Sequence, residues 1–242
     1  MKHTPFFTLF ALLLAGGCSQ TRMTAVRTPV VVYQPSHQTD TGRDFSEAAV
    51  CNGIVEAAMA ASTGVVQVYK VWSHEMESVH HARQGSNTVI AHTAAVDTLG
   101  KISGYAYELQ ESNKLHPDVF VSVHNNGGTR RHACWGFIHE GDVYEQQNRI
   151  LAEELVAEIC KVTDLENRGV LFDSSTGRND YRCRVTTKRA FYSVDENINY
   201  APLRVLLEIC DNGASYDFLL NPENQKKIGE AIQRVIERRF TR

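Results

Sequence analysis

A clustered basic excess is missing from this 242-residue chain: the formal charge is −3 and no Lys/Arg tract with interleaved aromatics occurs. Both absences argue against electrostatic capture of nucleic acid. None of the six cysteines falls in a Cys-x-x-Cys pair, which argues against a cysteine-caged zinc. Internal repeats and linker-like composition breaks are absent too, and an apolar fraction of 43% over this length suits a soluble α/β domain. Membrane-spanning length is lacking, because the apolar run from Phe6 to Leu14 is too short to cross a bilayer stably.

That short run has a different reading. Lys2 and His3 precede it and the small residues Ala15, Gly16 and Gly17 lead into Cys18, the pattern of an export signal. Leu14-Ala15-Gly16-Gly17-Cys18 resembles a bacterial lipobox, whose cysteine becomes the lipidated first residue of the mature protein. The expected organisation is a lipoprotein signal over 1–18, a polar tether over 19–28 and one folded domain over 29–242. The protein is then expected to be exported and to meet the membrane only through its lipid, facing the periplasm or cell envelope. Removing Cys18 leaves Cys51, Cys134, Cys160, Cys183 and Cys210, an odd number in a compartment that permits disulfides, so a monomer keeps at least one thiol. Cys51 and Cys160 fall within helical patterns and read as buried structural thiols.

Strands and helices alternate along the rest of the chain. Pro29 to Tyr33 and Val65 to Val71 read as strands around a helix spanning Ser46 to Ser62. Ser73 to Asn87 is a polar, histidine-bearing excursion, and Asp97 to Leu115 carries apolar positions at helical spacing, Tyr105 and Leu109 among them. Val119, Val121 and Val123 alternate with Phe120 and Ser122 to deliver His124 to a strand end, where Asn125-Asn126-Gly127-Gly128 is expected to break the strand. Cys134 to His139 is a further candidate strand. Tyr144 to Lys161 reads as an amphipathic helix with Ile150, Leu151, Leu155 and Ile159 on its core face. Leu171 to Lys188 reads as a polar loop whose Arg178, Arg182 and Arg184 form either a solvated surface or a positive rim for an anionic ligand. Leu203 to Cys210 reads as a strand. The last helix takes Asn221 as N-cap and Pro222 as its first residue, with Ile228, Ile232 and Ile236 facing the core. The fold class expected is α/β: one domain, a mostly parallel twisted sheet flanked by helices on both faces.

In such a sheet the exits of neighbouring strands lie side by side. His37 follows the first strand, Glu47 opens the next helix and His124 ends a later strand, so the three can converge. Two imidazoles and a carboxylate are a common ligand set for catalytic zinc with one position left open. Asp40 and Asp44 are rival carboxylates near His37. Glu208 ends another apolar run, where a carboxylate is costly unless paired, solvated or used. His74, His80, His81 and His92 read as loop histidines, and His132 and His139 flank a strand within reach of the same region.

From Val30 to Phe240 the chain resembles the zinc-dependent N-acetylmuramoyl-L-alanine amidases of amidase type 3. The carrying segments are the His37 loop with Glu47 downstream, Ser122-Val123-His124-Asn125-Asn126, Arg168-Gly169-Val170, and Val205-Leu206-Leu207-Glu208 followed by Asn212. The resemblance implies a zinc site at the strand ends with His37, Glu47 and His124 as ligands and Glu208 as the catalytic carboxylate. It also implies peptidoglycan or its muropeptide fragments as substrate and the N-acetylmuramic acid to L-alanine amide as the bond cut; Asn125 and Asn126 after His124, and Arg178 of the basic loop, are the candidate substrate contacts. The chain departs from the family where Gln34-Pro35-Ser36 precedes His37 and Gln38 follows it, and where Ile209-Cys210 follows Glu208. A zinc exopeptidase with an arginine clamp and a non-catalytic wall-binding lipoprotein are the other readings. The identity of an activator protein, if one acts, is not written in the sequence.

Overall fold

Valine runs build the middle of a sheet in the computed structural model, which describes residues 27–38, 45–72, 104–176, 180–183 and 187–241. The strands are β1 (Val30–Pro35), β2 (Gln67–Lys70), β3 (Val119–Asn126), β4 (Ala133–Ile138), β5 (Glu166–Phe172) and β8 (Leu203–Asp211), in the order β2-β1-β3-β8-β4-β5. Within this sheet only the β4 to β8 pairing is antiparallel; the other four are parallel. The helices are α1 (Glu47–Ala60), α2 (Gly104–Lys114), α3 (Glu145–Val162), the short α4 (Tyr216–Leu220) and α5 (Pro222–Phe240). A ribbon of β6 (Tyr181–Arg182) and β7 (Arg189–Ala190) lies between β5 and β8 in sequence.

Successive strand residues point to opposite faces, so a sheet covered on both sides needs apolar residues at nearly every position. Val119, Val121, Val123, Val205, Leu207 and Ile209 pack into a core that includes α1, α3 and α5 residues such as Ile54, Leu155 and Ile232. Phe120, Val30 and Val32 turn the other way and meet Leu109 of α2, with Tyr192 and Ala201. Each such fully buried side chain contributes about 1.5–3 kcal/mol. The helix starts follow local chemistry: the Ser46 hydroxyl accepts from Ala49 N at 3.2 Å, and the Asn221 side-chain Oδ1 accepts from Glu223 N at 3.0 Å beside Pro222 at the first position.

Several elements differ from expectation. β3 does not stop at His124 but runs through Asn125 and Asn126, because β8 continues beside it with an irregular register between His124 and Asn126. β5 was not anticipated: it is a polar edge strand paired only to β4, with Gly169 at φ +71. Ile150 is 44% exposed, and Ala152 and Val156 take its place beside Leu151, Leu155 and Ile159. The segment 171–188 holds the end of β5, a 3-10 turn at Asp173–Ser175 and β6. The signal segment with Cys18, most of the tether, Asp40, Asp44, His74, His80, His81, His92, Arg178, Arg184 and the start of the helix expected from Asp97 lie outside the described residues. Cys51, Cys134, Cys160, Cys183 and Cys210 are free thiols. Among the described residues no helix is long and apolar enough to cross a membrane.

Candidate active site

Strand order decides which polar side chains meet. Moving from β1, the chain goes outward to β2 and then returns to place β3 on the other flank of β1, and such a switch point opens a crevice at the strand ends. His37 leaves β1 at this crevice, half-buried, with Ser36 N bonded to Val123 O of β3 at 2.9 Å. His124 and Glu208 are register partners on adjacent strands, and Trp135 of β4 lies opposite Glu208 on the other side. Registered partners project to the same face, so the imidazole and the carboxylate are neighbours by construction.

Glu47 joins them from the first turn of α1. It is 1% exposed, and its Oε1 stands 3.3 Å from His124 Nδ1. The same oxygen accepts from Asn125 N at 3.2 Å, while Oε2 accepts from Asn212 Nδ2 at 3.1 Å. The carboxylate is thus held from β3 and from the residue just past β8. The His37 and His124 rings are nearly perpendicular with centroids 6.4 Å apart, and Tyr105 of α2 meets His37 edge-on at 4.5 Å. His37, Glu47 and His124 are less tightly drawn together than His139, Cys183 and Asp195, whose ligand atoms all lie within 4.8 Å of one another.

The electrostatics favour a cation. Burial disfavours the His124 imidazolium, but the adjacent Glu47 carboxylate and the charges of Glu208 and Asp180 prevail and raise its pKa above the ordinary value. Burial, followed by the Glu47 charge, pushes the Cys51 thiol well up, so Cys51 is a packed thiol behind the site. Its Sγ donates to Asn125 Oδ1 at 3.4 Å.

A metal fits these residues. A charge-assisted N–H···O bond is normally about 2.7–2.9 Å, shorter than the 3.3 Å between His124 and Glu47. Two atoms each about 2.0–2.1 Å from a tetrahedral zinc stand roughly 3.3 Å apart. The remaining ring nitrogen, His124 Nε2, is buried with no hydrogen bond among the described residues.

Other expected residues fall elsewhere. Asn125 turns its carboxamide inward to Ile209 O at 2.7 Å, and it reaches the site through its backbone N–H. Asn126 is half-buried at the end of β3, where its carbonyl accepts from Asn212 N at 2.8 Å. His132 bonds Ser215 and Asp164. His139 is buried with Asp173 at 2.7 Å; burial opposes its charge, yet Asp173 and Asp195 lift it to about 9. Arg182 bonds Thr187 O at 2.9 Å. Tyr105 was counted only as an apolar helix position, and Asp180 had no signal beyond its polar loop. Asn212 was visible as part of the Glu208 segment, though not as a partner of Glu47.

Comparison with known proteins supplies the context. The sequence model of the N-acetylmuramoyl-L-alanine amidase family matches residues 31–238. No curated protein matches the sequence. Among solved structures, N-acetylmuramoyl-L-alanine amidase AmiC2 of Nostoc punctiforme is similar at TM-score 0.55 and 19% identity, covering 89% of this chain and 99% of that one. The apo N-acetylmuramyl-L-alanine amidase Ami1 of Mycobacterium abscessus has TM-score 0.57 and 14% identity, covering 90% of this chain and 100% of its own. The CwlD amidase of Clostridioides difficile, solved with the GerS lipoprotein, has TM-score 0.56 and 16% identity, with coverage of 88% and 98%. At these identities the structures show a shared fold.

Proposed function

The chain belongs to the N-acetylmuramoyl-L-alanine amidase family and hydrolyses the amide between N-acetylmuramic acid and L-alanine in peptidoglycan; from that premise we propose that His37, Glu47 and His124 hold a catalytic zinc ion and that Glu208 is the general base. The observation that carries the proposal is the 3.3 Å approach of His124 Nδ1 to Glu47 Oε1, with Glu208 in register beside His124.

When bound, zinc supplies Lewis acidity, polarising the scissile carbonyl and making water a stronger acid. Glu208 takes the proton of the attacking water and then delivers it to the departing L-alanine nitrogen, so the carboxylate is regenerated each cycle. Asn212 and the Asn125 N–H hold Glu47 in one orientation by bonding one oxygen each. Such contacts around a ligand fix its direction and basicity. Tyr105 walls the His37 ring. Asn126 and Arg178 are proposed as substrate contacts, Asn126 from its place after His124 and Arg178 from its basic loop. Lipidation at Cys18 would hold the enzyme at the envelope membrane, on the periplasmic side, where its polymer substrate lies.

Digestion of purified peptidoglycan by the purified protein, read by mass spectrometry, tests the proposal. The expected products are stem peptides beginning with L-alanine together with peptide-free glycan. Removal of zinc by a chelator should stop the reaction and added zinc should restore it. Cuts confined to peptide bonds within the stem would instead support the exopeptidase reading.

A further inference from the structure

The most concentrated set of metal-ligating atoms among the described residues is not at the strand exits of β1 and β3. His139 follows β4, Cys183 follows β6 and Asp195 follows β7, and one ligand atom from each lies within 4.8 Å of the others, all three residues being buried. Three distant segments therefore deliver an imidazole, a thiol and a carboxylate to one point. The group shares no residue with His37, Glu47, His124 and Glu208.

The surroundings are those of a built site. His139 Nδ1 is 2.7 Å from Asp173 Oδ2, and Nε2 on the other side of the ring points at Asp195 Oδ2, 3.8 Å away. A carboxylate on one imidazole nitrogen, with a second ligand facing the other, is the usual way a metal-bound histidine is oriented. Asp173 is itself fixed by Ser174 N at 2.8 Å and Phe191 N at 3.2 Å. Asp195 Oδ1 accepts from Asn197 N and Asn197 Nδ2, both at 2.8 Å, which directs Oδ2 toward His139. Cys183 is held by its N–H to Lys188 O at 2.7 Å.

From this geometry we infer that His139 Nε2, Cys183 Sγ and Asp195 Oδ2 bind a second zinc ion. Thiolate, imidazole and carboxylate together select a borderline-soft divalent ion over magnesium or calcium. The charges balance, since one thiolate and one carboxylate neutralise Zn2+; binding releases two protons to solvent, one from the Cys183 thiol and one from Nε2 of His139, which Asp173 and Asp195 otherwise keep charged. A zinc-bound nitrogen and oxygen sit roughly 3.3 Å apart, so closing the 3.8 Å gap is a small side-chain movement. The ion would tie the β6–β7 ribbon to the end of β4. That ribbon begins beside Asp180, whose N–H bonds Ala190 O at 3.1 Å and whose charge acts on His124, so the second ion would steady one wall of the catalytic crevice.

Cobalt(II) titration of the purified full-length protein, followed by absorption spectroscopy, tests the inference. The proposed catalytic ligands contain no sulfur, so a near-ultraviolet thiolate-to-cobalt charge-transfer band reports the second site separately. The expected result is two cobalt equivalents with that band in the wild-type protein, and loss of the band and one equivalent in Cys183→Ser. Asp173→Asn, which keeps all three ligands, should retain the band but bind cobalt roughly 10–100-fold more weakly. His37→Ala should remove the other equivalent and leave the band intact. Cobalt bound without a charge-transfer band in the wild-type protein overturns the inference whether or not any variant folds, and so does a band that survives Cys183→Ser. Either outcome leaves the proposed catalytic site standing.

Discussion

At Gly229 the α5 backbone approaches the α1 backbone closely, and replacing it with alanine measures that approach. A Cβ built there would meet Ile54 O, with Ala58 N at 2.6 Å and Ala57 Cβ at 2.7 Å, where ordinary contact begins at 3.4 Å. The first two atoms are α1 backbone and cannot rotate away, so one helix must retreat by nearly an ångström. Overpacking of this kind costs about 1–3 kcal/mol, and the intractable neighbours put Gly229→Ala at the upper end. Alanine returns roughly 1 kcal/mol of helix propensity. The net loss is about 2 kcal/mol, a Tm lower by roughly 4–8 °C at this chain length. Gly53→Ala on α1 is the matched control, since its Cβ would meet only the amide end of Gln225, a side chain whose hydrogen bond to Leu219 O at 2.8 Å must give rather than any backbone. Freed from backbone conflict, Gly53→Ala should be within about 1 kcal/mol of wild type or more stable. Urea and thermal unfolding of both variants decide the matter. A Gly229→Ala protein as stable as wild type refutes the claimed backbone contact between α1 and α5.

Glu208→Gln should lower peptidoglycan turnover by about 10²–10⁴-fold while zinc content measured by mass spectrometry stays at the wild-type value, because Glu208 is given no ligand role. Asp211 follows it on β8 and accepts from Thr129 N and Oγ1, Arg130 N, Gly213 N and Ala214 N at 2.7–3.0 Å. Burial alone would raise its pKa, but the Ala214, Arg130 and Gly213 amides and the Thr129 hydroxyl hold it below the ordinary value. A depressed folded pKa gives stability that is full above the unfolded value of about 3.9 and fades as pH falls through the folded value. Asp211→Asn should therefore cost about 2 kcal/mol at neutral pH, and urea unfolding near pH 3 should show a smaller deficit. Arg204 is 2% exposed and pairs with buried Asp142; Arg204→Met should cost about 3–5 kcal/mol by stranding that carboxylate, and chemical denaturation of Arg204→Met/Asp142→Asn should recover part of it.

Most of the fold was legible because its central strands are covered on both faces. Val119 to Val123 and Val205 to Ile209 can satisfy that environment only as strands, and Asn221-Pro222 marks a helix start by chemistry that needs no tertiary context. β5 was not legible, since a polar edge strand takes its identity from its partner β4. The end of β3 was misplaced for a related reason: Asn125 and Asn126 break isolated strands, but here β8 supplies a partner. His37, Glu47, His124 and Glu208 could be picked out because in the sequence each follows or closes an apolar run or opens a helix. What the sequence could not contain was the strand order, which makes Glu208 the register partner of His124. The supports of Glu47 from Asn212 and the Asn125 N–H depend on that order too. The His139, Cys183 and Asp195 group was invisible for the same reason, as three unrelated polar residues scattered across three connections.

Whether His37, Glu47 and His124 jointly hold zinc is the central question. Crystals of the zinc-loaded protein, with data collected on both sides of the zinc absorption edge, answer it directly. An anomalous peak enclosed by His37, Glu47 and His124, with Glu208 beside it, is the predicted result. Absence of a peak among those three side chains in zinc-loaded, active protein would contradict the account.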